Sequence, residues 1–310
     1  MASAAAEQPC SFVNPHGERL AAKLVDAGPD SAVAILCHGY AACKDGFVFP
    51  AMAAALAERG LSSLRFDFAG NGESEGSFSF GGYYREVEDL RAAVGFVRSE
   101  LRRSVAAIVG HSKGGNVVLL YAAKYDDVPR VVSVAGRAVM GRGIQERFGS
   151  DILERLAAEG WVEQRVRVDA GRTITYRLTK QAVDERLAMD MLGELARVAA
   201  SRVLTLHGAA DTTIPPEDGA AIAQALNRAA AAAGAGAESV GEAAGRAAGG
   251  GDGEEEAEGA EEGGRAARHR LVVVAGADHN FRRPPGAAAE LIGHVVESYW
   301  QRRTSGDAGA

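Results

Sequence analysis

The chain reads as an α/β protein: a mostly parallel, eight-stranded sheet with helices on both faces and a segment inserted over one edge. Three observations carry that reading. Short apolar runs recur along the chain, separated by stretches whose apolar residues return at helical spacing. One of these runs, Val105 to Val109, passes through Gly110-His-Ser-Lys-Gly114 directly into the apolar segment 116–125, a strand–turn–helix passage. The 310 residues are 47% hydrophobic and 24% charged, enough apolar material for a large core within one α/β domain.

Taken in order, Phe12-Val13, the turn Asn14-Pro-His-Gly17 and Leu20 to Val25 predict a hairpin. Ala32 to Cys37 is a buried strand that ends at His38-Gly39-Tyr40. A helix from Pro50 to Arg59 stops at Gly60, a residue suited to a helix C-terminus. Leu61 to Phe66 is the next strand, and Asp67-Phe-Ala-Gly-Asn-Gly-Glu-Ser74 is its glycine-rich exit loop. Between Tyr84 and Leu101, Val87, Leu90, Val94 and Val97 recur at steps of three and four, an amphipathic helix. Arg130 to Ala135 is again strand. The alternation then lapses: 143–161 is helix-like, Gln164 to Asp169 and Arg172 to Leu178 form a hairpin around Ala170-Gly171, and Ala182 to Leu195 returns to helix. Residues 137–200 are therefore expected to be an inserted cap that walls a substrate pocket. Arg202 to His207 resumes the sheet, a helix from Glu217 to about Arg228 follows, and Arg270 to Ala275 and a helix over about 287–302 close the chain. Residues 229–265, almost all Ala, Gly and Glu, cannot bury enough apolar surface to offset chain entropy and are expected to be a disordered insertion.

Bulk properties exclude several classes. A net charge of −7 argues against a nucleic-acid binder. Three cysteines without metal-type spacing suit a reducing compartment. No run approaches the length of a membrane span, and the N-terminus lacks the features of a secretory signal, so the expectation is a cytoplasmic protein without stable membrane insertion. The oligomeric state stays open.

A G-x-S-x-G match is weak alone, and the chain holds two. The one at Gly72-Glu-Ser74-Glu-Gly76 follows a strand already broken by Gly70 and Gly72 and leads into no helix, so Ser74 reads as loop. In the other, a strand turning straight into a helix strains the serine backbone and demands neighbours without Cβ, and Ser112 is held out at a helix N-terminus. A serine hydroxyl needs a base and an orienting acid to act as a nucleophile. Among seven histidines, only His279 combines a position just after a strand with a flexible flank. For the acid, the strand after the elbow helix exits at Gly136-Arg137 without a carboxylate, whereas the next exits at Asp211; Asp278 is a poor orienter of its own neighbour. Lys113 is expected to be solvated or paired on the helix surface, and Asp67 to support its loop.

The order Ser112, Asp211, His279, together with His38-Gly39, Asp67-x-x-Gly-x-Gly-x-Ser74, Gly110-His-Ser-Lys-Gly-Gly115, Gly208-x-x-Asp211 and Gly276-Ala-Asp-His279, resembles the α/β-hydrolase superfamily. The resemblance covers about residues 10–228 and 266–303. Within it, the motifs are similar to the esterase branch that includes monoacylglycerol lipases, serine aminopeptidases and feruloyl or cinnamoyl esterases. It implies catalytic roles for Ser112, Asp211 and His279, with an oxyanion hole formed by the backbone N–H groups of Tyr40 and Lys113. It further implies a small-molecule ester as substrate and an acyl-enzyme route needing no cofactor or metal. Thioesterase, lipase, peptidase and acyltransferase share this machinery, and a binding protein that reuses the fold is the rival of another class. Lys113 stands where these relatives commonly carry Met, Gln or Leu, so their substrate range does not transfer.

Overall fold

A computed structural model describes residues 6–168, 171–245 and 269–300. Its main sheet has eight strands: β1 (Glu7–Val13), β2 (Arg19–Val25), β3 (Val33–Cys37), β4 (Ser62–Phe66), β5 (Val105–His111), β6 (Arg130–Val134), β9 (Arg202–Gly208) and β10 (Arg270–Val274). They lie in the order β1-β2-β4-β3-β5-β6-β9-β10. The first two pairings, β1 with β2 and β2 with β4, are antiparallel, and every later pairing is parallel. This is the eight-stranded, mostly parallel α/β-hydrolase sheet expected from the sequence.

Side chains one residue apart on a strand point to opposite faces, so the apolar runs serve two cores at once. Ile35, Ile108 and Val131 pack under α2 (Tyr83–Ser99), α3 (Lys113–Tyr125) and α8 (Pro216–Gly245). Their neighbours Leu36, Val109 and Val132 pack against α1 (Phe49–Glu58) and α9 (Ala287–Trp300). Burial on both sides explains why the strands read as continuous apolar runs.

Between β6 and β9 the chain builds a separate piece. It comprises α4 (Ile144–Phe148), α5 (Ile152–Glu159), the antiparallel pair β7 (Trp161–Arg167) and β8 (Thr173–Thr179), α6 (Lys180–Leu187) and α7 (Met191–Glu194). A small core of Ile152, Leu156, Val162, Leu178 and Val183 holds it together, joined by Phe80 from the main domain. The single helix expected over 143–161 is two helices, broken where Gly149 takes φ 104°, and Trp161 belongs to the strand. The helix expected from Ala182 starts earlier, because the Thr179 hydroxyl accepts the Ala182 N–H and caps it.

The helix expected to end near Arg228 continues as α8 to Gly245. Alanine has the highest helix propensity, and Ala229 to Ala233 extend the helix rather than break it. The rest of the Ala/Gly/Glu tract, from residue 246, lies outside the described residues. No helix among the described residues is long and apolar enough to cross a membrane.

Candidate active site

Strands β5, β6, β9 and β10 are adjacent and parallel, so the loops leaving their carboxyl ends gather at one rim. Ser112 leaves β5, Asp211 leaves β9 and His279 leaves β10. Ser112 has φ 55° and ψ −117°, a strained conformation for a residue with a Cβ. Only bare backbone permits the turn. A Cβ on Gly110 would lie 2.0 Å from the Gly114 carbonyl oxygen, and one on Gly114 would lie 2.4 Å from that of Cys37.

The three side chains sequence analysis singled out are brought together. His279 Nδ1 lies 2.7 Å from Asp211 Oδ2, and His279 Nε2 lies 3.0 Å from Ser112 Oγ. A carboxylate can only accept, so Nδ1 carries the proton and Nε2 is left to accept the serine hydroxyl. Asp211 is buried, and its Oδ1 accepts the N–H groups of Thr213 and Ile214, each at 2.8 Å. Burial opposes its ionisation, but the hydrogen bonds of His207 and His279 outweigh that and hold its pKa well below the ordinary carboxylate range. The acid at this position is therefore a fixed negative charge.

Tyr40 and Lys113 flank Ser112 in one pocket. Lys113 is the first residue of α3, so its N–H has no acceptor within the helix and faces outward at the positive end of the helix. Gly39 brings the preceding loop close: its Cβ position is 3.1 Å from Ser112 Cβ.

Other residues fall where their chemistry is structural. Ser74 lies in the β4 exit loop, where its hydroxyl donates to the Asp67 carbonyl at 2.6 Å. Asp67 is fully buried and accepts the backbone N–H and Nζ of Lys44, both at 2.6 Å. Asp278 accepts the Arg282 N–H at 2.8 Å and shapes its own loop.

One expectation is corrected in part. The Lys113 side chain is paired, but not on the surface: it is 7% exposed and forms a 2.6 Å ion pair with Glu86 of α2, itself shielded from water. Burial raises the Glu86 pKa to about 7, against the pull of Lys113. Glu86 precedes the apolar Leu90 by four residues, which puts both on one helix face; that spacing was the available signal. Two further residues escaped the sequence reading. His111 Nε2 lies 2.9 Å from the His279 carbonyl, and its ring stacks on Phe47 at 3.8 Å, so it props the loop that carries His279. Burial, and next the nearby His279, lower its pKa to about 3, which keeps it neutral. Arg137 follows β6 at the rim and is buried there, although its sequence position was read only as an exit without a carboxylate.

A family model of the serine aminopeptidases, S33, matches residues 28–234, two thirds of the chain. The chain belongs to this family of α/β hydrolases. Among curated proteins, the S33-family chain is similar to the uncharacterized protein YfhR of Salmonella typhi and of Salmonella typhimurium, each 26% identical over 195 residues. That match covers 61% of the chain and 58% of each relative's length. Among solved structures, the ferulic acid complex of Est1E from Butyrivibrio proteoclasticus superposes with a TM-score of 0.66 at 16% identity, covering 96% of this chain and 100% of that one. A putative hydrolase from Agrobacterium vitis gives 0.65 at 18% identity over 95% and 98% of the two chains. The esterase domain of a Rhodothermus marinus protein gives 0.59 at 22% identity over 96% and 98%. At these identities the likeness speaks for the fold.

Proposed function

We propose that this S33-family chain is a serine hydrolase that cleaves small or medium carboxylic esters through an acyl-enzyme. One observation carries the reading: an unbroken hydrogen-bonded line from Ser112 Oγ through His279 to a buried, ionised Asp211, starting at a serine in strained backbone. His279 Nε2 takes the hydroxyl proton as Oγ bonds to the ester carbonyl carbon. The carbonyl π pair moves onto oxygen, and the N–H groups of Tyr40 and Lys113 receive that oxyanion. Asp211 keeps the imidazole in the useful tautomer and stabilises its protonated form. Collapse of the tetrahedral adduct breaks the bond to the alcohol, which takes the proton back from Nε2. Water, deprotonated by the same nitrogen, then adds to the acyl-enzyme and releases the acid, and Ser112 recovers its proton.

Residues 137–200 serve as a cap over this site. A cavity of about 400 Å³ between Arg137, Arg147, Thr213 and Pro215 shares Arg137, Gly143, Arg147 and Thr213 with the Ser112 pocket, room beside it for a substrate of modest size.

Turnover of p-nitrophenyl butyrate tests the reading. Ser112→Ala should lower kcat about 10⁴-fold or more, and a fluorophosphonate probe should label Ser112 in the unsubstituted protein. Undiminished turnover in Ser112→Ala would overturn the assignment. Folded protein that neither turns over esters nor takes the probe would point to a binding protein instead.

A further inference from the structure

Two buried arginines in the pocket beside Ser112 have, among the described residues, no carboxylate in contact with them. Arg137 is 7% exposed and Arg186 is 6% exposed, and both line the same pocket as Ser112. Among the described residues, neither forms an ion pair. Arg137 donates through Nη2 to the Thr213 carbonyl at 2.8 Å; Arg186 donates through Nε and Nη2 to the carbonyls of Met140 and Arg142 at 2.8 and 2.7 Å. The buried carboxylate of Asp218 is engaged by Arg142 at 2.9 Å and by the Ala138 N–H at 3.0 Å. It reaches Arg137 only through space, as Glu146 reaches Arg186. At the mouth, exposed Arg147 lies over the Tyr40 ring at 4.7 Å.

Burying one guanidinium without a counterion is costly; burying two that repel each other is more so. Burial lowers the pKa of both, and for Arg137 the repulsion from Arg186 comes next. The structure nevertheless holds them firmly. Asn116 of α3 clasps Arg137 at both backbone groups, at 2.6 and 3.0 Å, and the Arg186 guanidinium sits 5.0 Å from the Phe80 ring centroid. Their backbone partners use only part of five donors each, and the remaining N–H groups can serve an oxyanion in fork geometry.

We propose that the cleft selects esters bearing a second, anionic oxygen group, a carboxylate or a phosphate, bound by Arg137 and Arg186 beside Ser112. This rests on Ser112 being the nucleophile, since it names the class of ester that the proposed hydrolase takes. The anion supplies the missing counter-charge and fixes which end of the substrate meets Ser112.

The test compares matched esters. For a carboxylate, mono-p-nitrophenyl adipate is set against p-nitrophenyl hexanoate; for a phosphate, butyrylglycerol phosphate against butyrylglycerol. The anionic member of at least one pair should show kcat/KM higher by about tenfold or more, the worth of one charge-assisted hydrogen bond, and the pair that responds identifies the oxyanion. Arg137→Gln and Arg186→Gln should each collapse that ratio, and the Arg→Lys variants should keep part of it. Because both esters are assayed on one preparation, the ratio is insensitive to the folded fraction. Arginines that merely brace backbone carbonyls would lower both rates alike and leave the ratio unmoved, which overturns the proposal. So would neutral esters being preferred in both pairs, with ester hydrolysis itself intact. If no ester is turned over, calorimetry of adipate and of inorganic phosphate with Ser112→Ala separates the two claims. Binding that Arg137→Gln abolishes keeps the anion site and removes the hydrolase; absence of binding removes the site.

Discussion

At the sheet rim, position is fixed chiefly by backbone, whereas in the insertion between β6 and β9 it is fixed chiefly by side chains. Ser112 stands where Gly110 and Gly114 let three stretches of main chain touch, and Asp211 is pinned by two N–H groups of its own loop. Apart from one close backbone approach, Gly81 against Ala182, the insertion meets the main domain through side chains: the Tyr176 hydroxyl against that of Tyr40 at 2.8 Å, and the rings of Phe78 and Tyr176 at 4.9 Å. Close backbone contact tolerates almost no change of residue, whereas side-chain contact can be retuned one residue at a time. On the proposed reading, the difference leaves the ester chemistry to the rim and substrate choice to the insertion.

Methyl groups added to one glycine in each region should give very different results. Gly110→Ala would press a Cβ to 2.0 Å from the Gly114 carbonyl oxygen, with backbone on both sides and no flexible atom to yield. We expect a loss of more than about 4 kcal/mol, seen as a collapse of the urea midpoint, and no measurable turnover of p-nitrophenyl butyrate. Gly160→Ala, at φ 77° after α5 but with open space around it, should cost only about 1 kcal/mol. Similar losses in the two variants would erase the contrast.

That contrast also decides what could be read in advance. The rim was legible because its constraints are local: apolar runs mark the strands, glycines mark the elbow, and the order of strand exits names Ser112, Asp211 and His279. The insertion was legible only as helices around a hairpin. Its breaks at Gly149 and its start at Thr179 depend on which residues meet across the small core, and no period in the sequence writes that down. The Glu86–Lys113 pair was hidden for the same reason. Twenty-seven residues separate the partners, and a charged residue on each helix reads as solvated until α2 is laid against α3. Arg137 and Arg186 join the same pocket from opposite ends of the insertion, so their shared burial follows from the folded chain alone.

A second measurement probes places where side chains support the rim itself. Glu86 has its folded pKa raised from 4.5 to about 7, so its contribution is complete below about pH 4.5 and is lost as pH rises through 7. His111 has its folded pKa lowered from 6.5 to about 3, so its contribution is present above about pH 6.5 and is lost as pH falls towards 3. Between those limits the two slopes oppose each other. Replacing the pair by Glu86→Gln with Lys113→Met removes the first slope and leaves the second. Stability of the double variant should then rise, relative to the unsubstituted protein, by on the order of 1–3 kcal/mol between about pH 5 and about pH 8, read from urea midpoints. Each single substitution should be worse at neutral pH than the double, because it leaves one buried polar group alone. Parallel pH profiles would mean that Glu86 titrates as an ordinary carboxyl group.

The smallest change expected lies where the two regions meet. Tyr176, on β8 of the insertion, shares its hydroxyl with Tyr40, whose backbone N–H is proposed to receive the oxyanion. Tyr176→Phe keeps the ring against Phe78 and removes only the oxygen, so the cost to stability should be about 1 kcal/mol, a typical net hydrogen bond. If backbone alone positions the rim, Tyr40 N–H stays in place without its hydroxyl partner, kcat changes by less than about twofold, and any effect appears in KM as the insertion loosens. A fall in kcat of about tenfold with KM unchanged would instead mean that the insertion sets the proposed oxyanion donor, and the division between a rigid rim and a tunable insertion would have to be redrawn through Tyr40.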